Sequence, residues 1–415
     1  MLPSFNTAGP LLAAGAVLAA LVGLGCGDSF TGVRRQGAQG GSGAGAAGAG
    51  AGASGGAGQG GEGGAAASCG DGKRQDGEVC LGTPVTYPSG AADLSSLALA
   101  DCDGDGDLDV LGVHKDTPGL FVLRGDGKGG LGAPKMAPLD ANPAWVAAGD
   151  VDGDGDVDAA VAYAGSEDFL TVVDSGGDCG FKQSSKLTYM MGATVVRGVV
   201  MADLNGDAKD EVVASADEFL KFWVGGSAWD KNVGPAVPGA LAAAKFDGDM
   251  DVDVAFVRPE GASATVAHSS GSGFDALYDG ATGPSPRPVA AGDLDGDGDT
   301  DLAVGLAGAA VSVLLSDPSG TALTAVLPDA PASVAAEQVA LGDLDGDFLL
   351  DVVLSGTAAL VEVLRGEGLG KLSPAAKATL THGGKALGVG DLNGDGLPDV
   401  VVGGGGSISV LVTAP

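Results

Sequence analysis

Between residues 94 and 412 the chain repeats one hydrophobic pattern. A short apolar alternation comes first, as in Leu97-Ala-Leu-Ala, Val146-Ala-Ala, Val199-Val-Met-Ala, Val289-Ala-Ala and Val339-Ala-Leu. A loop dense in Asp and Gly follows, and then a β-branched run such as "DVLGV", "EVVAS", "DVVLS" or "DVVVG". About ten residues later comes a second apolar run ("LFVLRG", "LTVVDSG", "AVSVLLS", "LVEVLRG", "ISVLV") that ends in a Gly-rich turn. Short apolar runs rich in Val and bounded by turn residues predict β-strands, not helices. The acidic loops begin at residues 101, 150, 203, 245, 293, 343 and 391, a period near fifty. Four antiparallel strands per fifty residues is the size of one propeller blade, so seven copies predict an all-β, seven-bladed β-propeller.

Closure of the ring is also readable. After the last loop only Asp399 to Val402 and Ser407 to Val412 remain as strand-like runs, which leaves the final blade short of its outer strand. The segment "TPVTYP" from Thr83 to Pro88 precedes the first loop and supplies it, so that the two ends of the domain share one blade and leave no open edge.

The loops carry the candidate chemistry. Written as Asp-x-Asp/Asn-x-Asp-Gly-x-x-Asp/Glu, the pattern is clean at Asp101, Asp150, Asp293 and Asp391. At Asp203 and Asp343 the sixth position holds Ala208 and Phe348, where the pattern has glycine. The copy at Lys245 has lost its first acid and has Met250 at the sixth position. Carboxylates this crowded repel one another unless a cation neutralises them. Acids at positions 1, 3 and 5 of a tight turn converge, glycine at 6 permits the turn, the carbonyl at 7 adds an oxygen and the acid at 9 completes an all-oxygen cage. That set fits calcium, whose coordination is irregular, better than strictly octahedral magnesium. The expected ligands are Asp101, Asp103, Asp105 and Asp109; Asp150, Asp152, Asp154 and Asp158; Asp203, Asn205, Asp207 and Glu211; Asp293, Asp295, Asp297 and Asp301; Asp343, Asp345, Asp347 and Asp351; and Asp391, Asn393, Asp395 and Asp399. Four to six structural calcium ions are therefore expected. In the Lys245 copy, Lys245 can itself supply the positive charge. An EF-hand is excluded because position 12 is Gly112, Val161, Ala214, Phe256, Val304, Leu354 or Val402, never Glu, and the flanks are β-branched.

These motifs resemble FG-GAP/VCBS repeats, as in the propeller of integrin α subunits; "VTYPSGAADLSSLALADCDGDGDLDVLGV" reads as one such repeat from end to end. The resemblance covers residues 82–415. It implies calcium in the loop joining the first and second strands of a blade, and partners on the opposite face, where His114, Lys115, Asp116, Trp145, Arg197, Arg258, Glu260 and Arg287 fall. "RGD" at Arg124 to Asp126 is read as part of a hairpin turn, because "LRGEG" at Leu364 to Gly368 takes the equivalent place.

The N-terminal fifth is of another kind. Residues 1–25 read as a lipoprotein-type signal, with an apolar run from Leu11 to Gly25 that is too short to span a membrane and is followed at once by Cys26, the expected lipidation site. Residues 26–67 form a Gly/Ala/Ser-rich tether with too little apolar surface to order itself, and residues 68–81 a short Cys-bounded loop. With Cys26 taken by lipid, four cysteines remain in an exported chain: Cys69, Cys80, Cys102 and Cys179. Three pairings are open, and Cys69–Cys80 with Cys102–Cys179 is the expected one.

Charge and composition narrow the function. A formal net charge of −33 argues against nucleic acid as partner. Three dispersed His and the lack of a nucleophile motif argue against catalysis. The expectation is a non-catalytic, monomeric, calcium-binding module. It would be lipid-anchored at the bacterial outer membrane, touching the membrane only through that lipid, and would bind a surface protein or glycan. The alternative is a polysaccharide lyase or hydrolase of the envelope on the same fold.

Overall fold

The computed structural model describes residues 78–414, apart from 140, 164–168, 191–195, 217, 225–226, 234–238 and 271–272. The segments expected to be an export signal and a tether, together with Cys26 and Cys69, lie outside the described residues. Every regular element among the described residues is a strand, and the strands form seven four-stranded antiparallel sheets. The first blade is Leu94–Ala100, Asp109–His114, Thr117–Leu123 and Lys135–Pro138, paired in that order from the axis outward. The innermost strands pack against one another around the ring, and Ala386–Gly390 of blade 7 returns against Leu94–Ala100 of blade 1.

The second strands show why the pattern folds this way. All six residues of Asp109–His114 are buried, because both sheet faces are covered. Leu111 and Val113 pack towards blade 2 with Val146, Val161 and Tyr163. Val110, next to Leu111 in sequence, packs towards blade 7 with Val401, Ile408 and Val410. Alternate side chains thus serve two inter-blade cores, and each buried aliphatic side chain contributes about 1.5–3 kcal/mol relative to exposure. Fourth strands have only one covered face, and Lys135–Pro138 is largely exposed. At the seam between blades 7 and 1 a Cβ on Gly388 would lie 2.9 Å from the Leu99 side chain, so glycine is what lets these inner strands approach.

Blade 7 closes as the sequence predicts. Val85–Pro88 pairs with Ser407–Leu411, from Val85 opposite Val410 to Pro88 opposite Ser407. Gly82 N–H donates to Val412 O (2.8 Å) and Ala414 N–H to Cys80 O (3.1 Å), extending the join beyond the strands.

Candidate metal centre: the acidic loops

Each acidic loop joins the first strand of a blade to the second, so all seven lie on one face of the ring. Their backbone is shaped by the acids themselves. In the loop at Asp150, Gly153 N–H donates to Asp150 Oδ1 (2.6 Å) and Gly155 N–H to Asp150 Oδ2 (2.9 Å). Asp154 N–H donates to Asp152 Oδ1 (3.1 Å) and Asp156 N–H to Asp154 Oδ1 (2.9 Å). The first acid therefore spends both oxygens on loop amides, while the third and fifth positions each keep one oxygen for something else. The loop at Asp293 repeats the scheme. In the loop at Asp343 the first acid again accepts two loop amides, here from Asp347 and Phe348, even though Phe348 stands at position 6.

Two positions, not one, need the left-handed backbone region. The sixth has φ 93° at Gly106, 65° at Ala208 and 70° at Phe348. The fourth has φ 72° at Gly104 and 66° at Gly346, and it is glycine in all seven loops. Met250 does not adopt it, so the Lys245 loop departs from the others in backbone as well as in charge.

The ninth acid is the first residue of the second strand and is buried in every blade: Asp109, Asp158, Glu211, Asp253, Asp301, Asp351 and Asp399. One of its oxygens accepts the N–H of position 2, at 2.9 to 3.1 Å throughout. In six blades the other accepts an N–H at the end of the third strand: Gly125, Ser175, Ser269, Ser316, Gly366 or Thr413. The ninth acid is thus a staple between loop and sheet, a role beyond the ligand role expected for it. Each of its oxygens retains a second lone pair for a cation. Burial, partly opposed by these amides, raises the carboxyls of Asp109, Asp301 and Asp399 to about 6 and those of Asp158, Glu211 and Asp351 to about 7.

The donor set suits a hard divalent ion. Oxygens of Asp101, Asp103 and Asp109 lie within 4.8 Å of one another, as do those of Asp150, Asp152 and Asp158 and those of Asp293, Asp295 and Asp297. Asp345, 1% exposed, has its Oδ2 buried without a hydrogen-bond donor, and Asp103 Oδ1 is in the same condition. A buried carboxylate oxygen without a donor calls for a cation. In the two loops with Asn at position 3 the amide fills part of that need: Asn205 Nδ2 donates to Glu211 Oε1 (2.8 Å) and Asn393 Nδ2 to Asp395 Oδ2 (3.2 Å).

Loops are tied to the next blade. Cys179 N–H, from blade 2, donates to Cys102 O of the first loop (3.1 Å), and the two sulfurs lie at disulfide distance, 1.90 Å. Cys80 is also in a disulfide, whose other half lies outside the described residues. Gly129 N–H donates to Leu392 O and Gly370 N–H to Leu294 O, each from the following blade to a position-2 carbonyl.

Two expectations are corrected by the structure. Lys245 is exposed and forms no ion pair with the described residues; the basic group facing the acids of its loop is His268, whose Nδ1 is 3.2 Å from Asp247 Oδ2. Arg124 of the "RGD" turn lies beside Asp103, Nη1 to Oδ2 2.5 Å, so a basic side chain also faces the first loop. On the opposite face, His114, Trp145 and Arg258 serve the interior. His114 is fully buried with Nε2 2.9 Å from Ser89 Oγ, Trp145 Nε1–H donates to Val196 O (3.2 Å) and Arg258 Nε–H to Thr265 Oγ1 (2.8 Å). Lys115, Asp116 and Glu260 are exposed there, and Arg287 reaches Glu337 at 3.9 Å.

Comparison with known proteins agrees with this architecture. An FG-GAP-like repeat model matches residues 101–161, 245–304 and 343–402, which take in six of the seven loops. No curated protein matches the sequence. Among solved structures the chain is similar to BBS1N in complex with ARL6DN, in crystals soaked with mercury (12% identity, TM-score 0.59, 81% of this chain and 98% of that one) and with lead (12%, 0.57, 81% and 97%). It is also similar to the WD40 β-propeller domain of Doa1 (11%, TM-score 0.54, 80% and 96%). At such identities the likeness concerns the fold alone. The chain is therefore a seven-bladed β-propeller that carries FG-GAP-like repeats.

Proposed function

We propose that the protein is a non-catalytic binding or scaffold module whose propeller is held together by four to six calcium ions, displayed at the bacterial outer membrane through a lipid on Cys26. The observation that carries the calcium reading is Asp345. Its buried, donorless oxygen sits among acids that repel it, and burial together with Asp347 and Asp343 raises its carboxyl above the usual range. An ion there supplies the missing partner and holds the group ionised. The calcium lies in loops that shape blades, so its role is structural, and a surface protein or glycan docks on the opposite face through groups such as Lys115, Asp116, Glu260 and Arg287.

Atomic emission of the calcium-loaded, dialysed protein tests the metal. Four to six calcium ions per chain are expected; none or one overturns the reading. A glycan and surface-protein binding screen on the same sample, repeated with Lys115→Glu and Arg287→Glu, tests the face. Membrane fractionation of Cys26→Ser tests the anchor, with release into the soluble fraction expected.

A further inference from the structure

The Lys245 loop cannot hold calcium as its neighbours do, because lysine has no oxygen to offer and the sixth position is not left-handed. It still holds four acids, Asp247, Asp249, Asp251 and Asp253. The third strand of the same blade, Ser263–Ser269, brings His268 against them. We propose that His268, Asp247 and Asp253 form a site for a divalent transition metal of the zinc class, at the seam between blades 4 and 5.

Three observations carry this. First, His268, Asp247 and Asp253 place one ligand atom each within 4.8 Å of one another, and one imidazole with two carboxylates is a set for borderline metals, not for calcium. Second, the tautomer is fixed. His268 is 7% exposed, and its Nε2 lies 3.0 Å from Gly320 O of blade 5, an acceptor only, so Nε2 bears the hydrogen. With Nδ1 unprotonated, its lone pair faces Asp247 Oδ2 at 3.2 Å, two acceptors in contact that need a proton or a metal ion between them. Donation of the second ring N–H to a backbone carbonyl is the arrangement that orients a metal-bound histidine. Third, charge decides between cations. A proton on His268 sets one positive charge among four acids, whereas a divalent ion sets two and also reaches Asp253. Asp253 is fully buried, already stapled by Phe246 N–H (2.9 Å) and Ser269 N–H (2.7 Å), and keeps a lone pair on each oxygen. The inference rests on this one loop and not on calcium occupancy elsewhere.

The test is a titration of the full-length chain with cobalt(II) as a spectroscopic probe, in saturating calcium so that the other loops are filled. One cobalt per chain with visible d–d bands is expected, displaced by zinc. Asp247→Asn, at a partly exposed position, and His268→Gln should each weaken cobalt binding at least about tenfold, the smaller loss typical even of an outer partner of a metal ligand. Lys135→Gln, on the exposed outer strand of blade 1, should leave cobalt binding unchanged. Circular dichroism checks that each variant folds, and Asp247→Asn carries the result if His268→Gln does not. No cobalt bound by the calcium-saturated wild-type chain, or equal binding by the wild type and Asp247→Asn, overturns the site and leaves His268 as an imidazolium paired with Asp247.

Discussion

Arg124 Nη1 lies 2.5 Å from Asp103 Oδ2, and the same guanidinium donates to the carbonyl of Asp178 in the next blade. The arginine follows the third strand Thr117–Leu123 and immediately precedes Gly125, whose amide staples the ninth acid. His268 immediately precedes Ser269 in the corresponding place, and it too faces the third position of its loop. One strand position thus delivers a basic group to the acidic loop in two blades. A positive charge there opposes an incoming ion. Arg124→Gln should therefore raise the calcium affinity of the first loop by on the order of tenfold, the effect of a unit charge on a divalent ion about 5 Å away in water-like surroundings. Calcium titration of the variant by calorimetry checks this, and unchanged binding counts against a cation in that loop.

Thermal unfolding should depend strongly on calcium. Each occupied loop contributes about 2.7 kcal/mol at a hundredfold excess over Kd. Asp154→Ala, which removes a ligand from the second loop, should cut the calcium-induced rise in Tm. Asp249→Ala, in the Lys245 loop, should leave it nearly unchanged. A midpoint indifferent to calcium in the wild type would contradict the structural role.

The Asn393 amide donates to Asp395 and so relieves repulsion without a metal. Asn393→Asp should accordingly lower the Tm in chelator and raise the calcium affinity of that loop. Paired melting curves with and without calcium check both directions; a fall in both conditions would show that only the amide hydrogen bond mattered.

Phe348 is 93% exposed and has φ 70°. An L-residue in the left-handed region costs about 1–2 kcal/mol, and an exposed ring returns little of that by packing. Phe348→Gly should stabilise the protein by about 1 kcal/mol, read from denaturant unfolding in calcium.

In chelator, stability should fall as pH rises from about 4 to 7. The ninth acids have folded-state values raised to about 6 or 7 by burial, against the ordinary 3.8 for Asp and 4.5 for Glu. The native state therefore binds more protons than the unfolded chain across that window, and each unit of rising pH favours unfolding. Calcium binds the ionised form, so saturating calcium should flatten or reverse the slope. Urea midpoints at pH 5 and pH 7.5, with and without calcium, measure it.

The number of blades, the strand order within each and the shared closing blade were all legible in the sequence. They follow from local signals: apolar alternation, turn residues at fixed offsets, and a count of strands that left one missing. The left-handed turn at position 6 was legible too, because glycine there has a backbone reason, and glycine in all seven copies marks the equal need at position 4. What the sequence could not show is which groups meet across long separations. Ser269 is 16 residues from Asp253 and Gly125 is 16 from Asp109, yet each pair shares a hydrogen bond because the third strand folds back beside the second. His268 and Gly320 are 52 residues apart and meet only because successive blades abut. Lys245, adjacent to its acids in sequence, points to solvent, and His268, remote from them, supplies the basic group. Chain chemistry set the acidic loops and the strands that carry them. Packing of sheet against sheet decided which acids are buried, which are stapled by amides, and which face a basic side chain, since burial and hydrogen-bond partners are properties of the assembled ring and not of any one repeat.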